Sequence, residues 1–300
     1  MTYARFALAL LASATLASPA LAQDGTLKKI KDSGSITIGH RDASIPFSYY
    51  DDKQQPIGYA MDLCYRIVDA VRTELKMPKI DIKYQLVTSA NRIPLMANGT
   101  IDLECGSTTN NLDRQKQVWF TITHFVTANR FVAKRSASLR TLDDLKGKTI
   151  VSTAGTTNIK QITELNAQKN LGASIISANG HPEAFLMVET GRAAAFVMDD
   201  ILLYSLVATS KTPGDYEISA DALSVEPYGI MVRKDDVAFK KVVDAAMVNT
   251  YRSGAITGIY SKWFLTAIPP KGVNLNVPMG DGFKKVIANP TDSGDPAAYR

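Results

Sequence analysis

The chain alternates between two hydrophobic periods. The segment "SITIGH" (35–40) has the apolar pattern of a short strand, whereas "AMDLCYRIVDAVRTEL" (60–75) repeats apolar residues at helical spacing. The pattern predicts further strands at 79–87, 101–106, 149–153, 173–178, 193–200 and 228–236. Helices are predicted at 91–99, capped by Ser89, at the start and at the end of 139–165, and at 181–192, 201–209, 238–254 and 256–266. Strands that alternate with helices favour parallel sheets of the α/β class.

Two apolar segments, 125–134 and 223–234, are candidates for crossings between two lobes. A length of 300 residues exceeds that of most single domains and suits two. If the chain leaves through the first segment and returns through the second, lobe 1 comprises 23–128 and 226–300, and lobe 2 comprises 129–225. A cleft between two lobes joined by two strands suits the capture of a small ligand.

The first 22 residues have the pattern of a secretory signal peptide. Arg5 precedes an apolar run at 6–17, and an Ala-x-Ala motif ends at Ala22. A membrane anchor is the alternative, but the run is shorter than the roughly 18 apolar residues that a spanning helix needs. No later stretch of the sequence is long and apolar enough to span. We therefore expect cleavage after Ala22 and export of the mature chain to the periplasm.

The net charge and its distribution along the chain narrow the classes of partner. The 34 Lys and Arg against 29 Asp and Glu give a mild net charge of +5, and the basic residues are scattered. Nucleic acid and a membrane surface are therefore not expected as partners.

In an oxidising compartment Cys64 and Cys105 either form a disulfide or remain two buried thiols. Two cysteines and three scattered histidines form no cluster of metal ligands.

Polar side chains follow the predicted strands, at the edge where open α/β sheets bind ligands. Arginine offers a planar fork for a carboxylate, hydroxyl groups add donors, and an aspartate accepts from an ammonium group. This inventory suits a small zwitterion with an extra carboxylate, which is an acidic amino acid. The candidate ligand residues are Arg41, Ser89, Arg92, Ser107, Thr109, Arg114, Thr157, His181 and Asp199.

Several candidates also have a purely structural interpretation. Arg92 could be a solvated surface charge, and Arg114 could form an ion pair with its neighbour Asp113. Asp199 could cap the helix that follows it, and His181 could simply begin a helix. We prefer the ligand interpretation for the set, because its members recur at corresponding strand ends.

A catalytic function has little support in the sequence. No Ser or Cys has an evident base partner, and a His/Glu metal motif is missing. Three other functions remain open: a dehydratase-like enzyme on the same fold with His181 as acid or base, a sensory module that docks on a membrane receptor, and a binding protein for another polar amino acid or a dicarboxylate. A dicarboxylate without an ammonium group would have no use for Asp199.

Four segments carry a resemblance to a known family: "GHRDASIPFSYYD" (39–51), "NRIPLMANGTIDLECGSTTNNLDRQKQVWF" (91–120), "GRAAAFVMDD" (191–200) and "KWF" (262–264). They resemble periplasmic glutamate/aspartate-binding proteins, the solute receptors of ABC importers. The resemblance covers nearly all of the mature chain. It implies a type II periplasmic binding protein fold, with two α/β lobes joined by a two-strand hinge and a ligand cleft between them. It also implies a monomer without a cofactor or enzymatic activity that delivers L-glutamate or L-aspartate to the permease subunits.

The resemblance implies roles for the candidate residues. Those that resemble a clamp on the side-chain carboxylate of the ligand are Arg41, Ser89, Arg92 and His181. Those that resemble a clamp on the α-carboxylate, and in part on the amino group, are Ser107, Thr109 and Arg114. Asp199 matches the ammonium acceptor of the family, and Thr157 resembles a contact from lobe 2.

Overall fold

A computed structural model of the protein describes residues 25–300. The predicted signal peptide at 1–22 lies outside the described residues. Within residues 25–300, no helix combines the length and the apolar character that a membrane crossing requires.

Helices and short strands alternate along residues 25–300. The α-helices are α1 Thr26–Ser33, α2 Tyr59–Glu74, α3 Arg92–Ala97, α4 Leu112–Gln115, α5 Thr157–Gln168, α6 His181–Glu189, α7 Asp200–Thr209, α8 Val237–Arg252, α9 Ala255–Phe264 and α10 Asp281–Ala288. The strands are β1 Ser35–His40, β2 Ala43–Ser44, β3 Ser48–Tyr50, β4 Pro56–Ile57, β5 Asp81–Leu86, β6 Leu103–Cys105, β7 Val118–Phe120, β8 Phe125–Lys134, β9 Thr149–Thr153, β10 Ser174–Ala178, β11 Ala195–Asp199, β12 Tyr216–Ile218, β13 Ser224–Tyr228, β14 Met231–Arg233, β15 Ala267–Ile268 and β16 Val273–Asn274. Short 3-10 helices lie at Arg135–Ala137, Leu142–Leu145, Pro213–Asp215 and Pro296–Tyr299.

The first lobe is built on a sheet with the strand order β5-β1-β6-β14-β7. Strands β5, β1 and β6 are parallel, and β14 runs antiparallel to its neighbours. Helix α2 buries Leu63, Ile67 and Val71 in the core, as its apolar spacing predicts. Because the carboxyl ends of the parallel strands meet at one edge, the loops that follow β1, β5 and β6 lie side by side there.

The second lobe is built on a sheet with the order β10-β9-β11-β8-β12, and β13 also pairs with β8. Strands β10, β9 and β11 are parallel. Helix α5 begins directly after β9, where the Oγ1 atom of Thr156 accepts a hydrogen bond from the N–H of Ile159 at 3.3 Å. The starts of α5, α6 and α7 therefore share the carboxyl edge of this sheet.

The chain passes between the two lobes through β8 and β13. These strands pair antiparallel, from Phe125 opposite Tyr228 to Asn129 opposite Ser224. Strand β8 then continues into the second sheet, and the chain returns from β13 to β14 in the first sheet. The predicted division at 128/129 and 225/226 falls within this ladder and stays a prediction.

An aromatic cluster packs beneath the two connecting strands. The ring of Phe47 lies 5.0 Å from that of Phe125 and 5.2 Å from that of Tyr228, and Phe125 stacks on Phe264 at 5.0 Å. Edge-on and offset contacts of this kind suit aromatic rings and fix their orientation. The cluster therefore holds Tyr228 rigidly where β13 leaves the second lobe.

Two local predictions were wrong. The helix expected at the start of 139–165 is only the 3-10 turn Leu142–Leu145. Ser89 does not cap α3, which begins at Arg92 after Asn91. The turn before α3 is closed instead by Asn91, whose Oδ1 accepts from the N–H of Thr88 at 2.7 Å. Ser89 is left with its hydroxyl free for another partner.

Cys64 on α2 and Cys105 at the end of β6 are joined in a disulfide, which links positions 41 residues apart. Because a loop of this length restricts the unfolded chain, we expect Cys64→Ala with Cys105→Ala to lower the free energy of unfolding by about 3 kcal/mol. Urea denaturation of both proteins measures this difference. Dithiothreitol should lower the midpoint of the wild type only, and equal midpoints for the wild type and the double variant would contradict the prediction.

Candidate ligand site

The structure brings the nine candidate residues to the facing edges of the two lobes. Those contributed by the first lobe, after β1, β5 and β6, are Arg41, Ser89, Arg92, Ser107, Thr109 and Arg114. Those contributed by the second lobe, after β9 and β10 and at the end of β11, are Thr157, His181 and Asp199. All are buried except Thr157, which is partly exposed. The surface interpretation of Arg92, which is 2% exposed, is therefore wrong.

Most of the buried polar atoms without a hydrogen-bond partner belong to these candidates. Within residues 25–300, eight residues carry such atoms, and five of the eight were predicted from the sequence: Arg41, Ser89, Arg92, Ser107 and His181. The atoms include Nε and Nη1 of Arg41 and Nε of Arg92. Because buried donors are nearly always paired in folded proteins, a group of them at one place indicates a site for an accepting ligand.

Three buried arginines place positive charge on the first-lobe side of this site. Burial, together with the neighbouring charge of Arg92, lowers the pKa of Arg41 to about 10. Burial and the same neighbour lower the pKa of Arg114 to about 9. Both values lie well above neutral pH, so both side chains stay charged. Like charges held together in a buried place favour an anion as the ligand.

A buried carboxylate that the sequence analysis missed lies beneath the arginines. Glu104, on β6, is fully buried and accepts from the Oγ1 atom of Thr108 at 2.6 Å. The same Thr108 oxygen accepts from Nη1 of Arg92 at 2.5 Å. After burial, the charge of Glu104 is the largest influence on the pKa of Arg92 and acts to raise it. A glutamate inside an otherwise apolar strand was the signal that could have revealed it.

Arg114 reaches across the cleft. Its Nη1 atom donates to the carbonyl oxygen of Thr109 at 2.8 Å, and its Nη2 atom donates to the carbonyl oxygen of Gly155 in the second lobe at 3.3 Å. Asp113 pairs instead with Lys116 at 2.9 Å and Lys160 at 3.0 Å. The local ion pair of Arg114 with Asp113 is therefore not formed.

Asp199 lies at the opposite side of the site. The Nδ2 atom of Asn158 donates to its Oδ1 at 2.7 Å, and the hydroxyl of Tyr228 donates to its Oδ2. Burial, together with the nearby charge of Glu226, raises the pKa of Asp199 to about 7. The side chain makes no capping hydrogen bond to α7, so the capping interpretation is wrong. The sequence analysis missed Asn158, Tyr228 and Glu226, because neither β13 nor α5 carries a local sequence signal of these contacts with Asp199.

His181 and Thr157 complete the contribution of the second lobe. Nδ1 of His181 lies 2.9 Å from the Oγ1 atom of Thr153, and its Nε2 has no partner. Burial holds the pKa of His181 well below its ordinary value, and the charges of Arg41 and Arg92 lower it further. The imidazole is therefore neutral. Thr157 donates to Glu226 at 2.9 Å and lies 3.5 Å from the Oγ1 atom of Thr109 in the first lobe.

Main-chain atoms of the two lobes come into close contact beside the site. A Cβ atom on Gly155 would lie 2.5 Å from the Cα of Ala90 and 2.8 Å from the carbonyl oxygen of Ser89. Distances this short leave room for no side chain at position 155. The structure therefore shows the lobes closed on each other.

Across the described part of the chain, His, Cys, Asp and Glu side chains form no group of three or more that could hold a metal ion.

Comparison with known proteins identifies the family. A model of the bacterial extracellular solute-binding proteins, family 3, matches residues 36–266. The chain belongs to this family. It is 53% identical to the L-glutamate/L-aspartate-binding protein of Pseudomonas aeruginosa over 283 residues, which cover 93% of this chain and 94% of that protein. It is 44% identical to the glutamate/aspartate import solute-binding protein of Escherichia coli K12 over 282 residues, 94% of this chain and 93% of that protein.

Solved structures agree with the family. A mutant of ArgBP from T. maritima matches with a TM-score of 0.70 at 26% sequence identity, over 79% of this chain and 98% of that chain. The predicted fold class is confirmed: two α/β lobes of the type II periplasmic amino-acid-binding architecture.

Proposed function

We propose that this protein is an extracytoplasmic receptor that captures L-glutamate or L-aspartate by lobe closure and delivers it to the permease subunits of an ABC importer. The observation that carries the proposal is the group of buried, unpartnered donors around three arginines, with a carboxylate acceptor opposite them. This pattern complements a ligand with two carboxylates and one ammonium group. The names of the relatives from P. aeruginosa and E. coli support the same ligand class.

The side-chain carboxylate of the ligand is proposed to bind at Arg41, Ser89, Arg92 and His181. Unpartnered donor atoms of all four are buried. We propose that the hydroxyl of Thr153 donates to Nδ1 of His181, which leaves the proton on Nε2, where it can be donated to the ligand. A neutral imidazole avoids adding a fourth buried positive charge to the arginines.

The α-carboxylate is proposed to bind at Ser107, Thr109 and Arg114. The hydroxyl of Ser107 is buried without a partner, and Arg114 is already oriented by its bond to the carbonyl of Thr109. Pre-oriented donors lose little conformational freedom when a ligand binds. Thr157 approaches Thr109 from the second lobe and would close over this end.

The ammonium group is proposed to bind at Asp199. Asn158 donates to one oxygen of the carboxylate and Tyr228 donates to the other, and the two bonds fix its orientation. An ammonium group would favour the ionised form of Asp199, which its buried position otherwise disfavours.

Capture is proposed to proceed by a population shift. The open protein samples closure, and a ligand that contacts both lobes favours the closed form. The division into 23–128 with 226–300 and 129–225 would place the hinge within the paired strands β8 and β13. We further propose a periplasmic monomer that presents both lobes to the permease.

Binding without turnover is proposed, because the group that an enzyme would use as acid or base is poorly suited to that role. Burial and two neighbouring arginines keep His181 from acquiring a proton near neutral pH. The relatives from P. aeruginosa and E. coli are named for binding and import.

A calorimetric panel tests the proposal. Protein unfolded and refolded to remove any bound ligand would be titrated with L-glutamate, L-aspartate, L-glutamine and glutarate. Binding of the first two should be tight. L-Glutamine should bind more weakly by about 2 kcal/mol or more, roughly thirtyfold, because it leaves the arginines short of an anion. Equal affinities for L-glutamine and L-glutamate would overturn the assignment of Arg41 and Arg92.

Affinity for L-glutamate should fall as the pH drops below about 7, because Asp199 must lose its proton to accept from the ammonium group. Tyr228 donates to Asp199 and acts to lower its pKa. Tyr228→Phe should therefore move this fall to higher pH and weaken binding at pH 7 by about tenfold. Dissociation constants measured between pH 5 and 9 test both statements.

Tyr216→Phe is the matched control for this experiment, since its hydroxyl donates to a different carboxylate, that of Glu189. The dissociation constant of Tyr216→Phe should depend on pH in the same way as that of the wild type. A Tyr228→Phe profile that also overlies the wild type would rule out the proposed role of Tyr228.

A further inference from the structure

The last 34 residues lie beyond the part of the chain that the family model matches, which ends at residue 266. Helix α10 in this segment buries Phe283 and Val286. The ring of Phe283 lies 6.4 Å from that of Phe125 on β8 and 6.2 Å from that of Tyr260. The C-terminal segment is thus packed against the lobe-connecting strand.

The end of the segment, residues 289–300, is here called the C-terminal strap. It contacts the loop at 107–115, which carries three of the proposed ligand residues. Nδ2 of Asn110 donates to the carbonyl oxygen of Asp292 at 2.8 Å, and Nε2 of Gln115 donates to the same oxygen at 3.0 Å. Gln115 also donates to Oδ1 of Asn110 at 2.9 Å. The strap therefore contacts the residues that directly follow Thr109 and Arg114.

The strap is itself anchored to the first lobe. The N–H of Thr123 donates to the carbonyl oxygen of Thr291 at 2.8 Å. The hydroxyl of Tyr299 donates to the carbonyl oxygen of Ser293 at 2.6 Å and lies 2.8 Å from the Oγ1 atom of Thr123. Tyr299 is only 4% exposed. The contacts to the loop thus come from a fixed element rather than from a loose tail.

At one position the main chain of the strap lies directly against the main chain of the loop. A Cβ atom on Gly294 would lie 2.8 Å from the carbonyl carbon of Asn111 and 2.8 Å from the nitrogen of Leu112. Any side chain at 294 would push the strap away from the loop at the start of α4, the short helix that carries Arg114.

We propose that the C-terminal strap is a positioning element for ligand binding, which fixes the loop at 107–115 so that Thr109 and Arg114 are in place before the ligand arrives. The inference rests on the proposed function, since it concerns the clamp on the α-carboxylate. A loop ordered in advance spares the ligand the conformational entropy of ordering it. None of the strap residues needs to contact the ligand for this effect.

The test uses Gly294→Ala and, as matched control, Gly280→Ala in the same segment, where an added Cβ would meet nothing within 4 Å. Tyr299→Phe, which removes the hydroxyl that anchors the strap, is a second variant. Two quantities are measured: hydrogen exchange of the amides at 107–115 in unliganded protein, and the dissociation constant for L-glutamate. Circular dichroism and urea unfolding verify that each variant is folded.

Gly294→Ala should accelerate exchange at 107–115 by about tenfold or more and weaken L-glutamate binding by about tenfold. Tyr299→Phe should shift both quantities in the same direction, and Gly280→Ala should change neither. Unchanged exchange, or unchanged affinity in spite of faster exchange, would overturn the inference. A wild type that fails to bind L-glutamate would overturn the proposed function instead, and the exchange data would still decide whether the strap orders the loop.

Discussion

Asp199→Asn is expected to weaken L-glutamate binding by about 3 to 5 kcal/mol, roughly a hundred- to several-thousand-fold. The substitution preserves the size of the side chain and an oxygen that can accept from Asn158 or Tyr228. It removes the negative charge that would pair with the ammonium group. The ligand would then bring a positive charge into a buried place without a full counter-charge, which is the costly situation.

Glutarate separates this explanation from a general disturbance of the site. It carries both carboxylates but lacks the amine, so its affinity should not fall in Asp199→Asn. The ratio of L-glutamate to glutarate affinity, measured by calorimetry, should therefore collapse. The dependence of L-glutamate binding on pH near 7 should disappear as well, since its titrating group is gone.

The adjacent carboxylate supplies the control. Asp200 begins α7, and its carboxylate accepts hydrogen bonds from Nε of Arg130 at 3.1 Å and from Oγ1 of Thr127 at 2.5 Å. Asp200→Asn should leave L-glutamate affinity within a few-fold of the wild type. If Asp199→Asn behaved like Asp200→Asn, Asp199 could not be the ammonium acceptor.

The sequence was informative about which strand ends carry the donors of the site. Arg41, Ser107 and His181 follow strands whose apolar patterns are plain, and the carboxyl ends of parallel strands meet by geometry. The alternation of strands and helices likewise predicted the fold class. These features depend on local periodicity, which a single sequence displays.

The supporting residues were not predictable in the same way. Tyr228 reaches Asp199 only because β13 returns along β8 beside the second sheet, a pairing between residues about 100 positions apart in the chain. Asn158 is the second residue of α5, and the start of the helix is enough to explain an amide side chain there, so the sequence does not indicate its contact with Asp199. Glu226 is a buried carboxylate that accepts from Thr157 and Gln161 on α5, and Glu104 is linked to Arg92 only through Thr108, so the roles of both carboxylates depend on tertiary packing.

Gly155→Ala is expected to weaken binding of every ligand by about 3 kcal/mol, roughly a hundredfold, by obstructing lobe closure. The added Cβ would lie 2.5 Å from the Cα and 2.8 Å from the nitrogen of Ala90, and 2.8 Å from the carbonyl oxygen of Ser89. All three are main-chain atoms, so no side-chain rotation relieves the clash. The two lobes would have to move apart to relieve the clash. This movement would also take the carbonyl of Gly155 away from Arg114, which donates to it at 3.3 Å.

Gly191→Ala distinguishes this obstruction from backbone strain. Gly155 has φ +74°, and Gly191 has φ +75° with nothing within 4 Å of an added Cβ, so both variants carry the same penalty for a left-handed residue. Gly191→Ala should therefore lose stability but keep its affinity for L-glutamate and L-aspartate. Small-angle X-ray scattering should show contraction on addition of L-glutamate for Gly191→Ala and none for Gly155→Ala. Because a ligand stabilises the closed form only through contacts with both lobes, full affinity in Gly155→Ala would mean that this closure is not what holds the ligand.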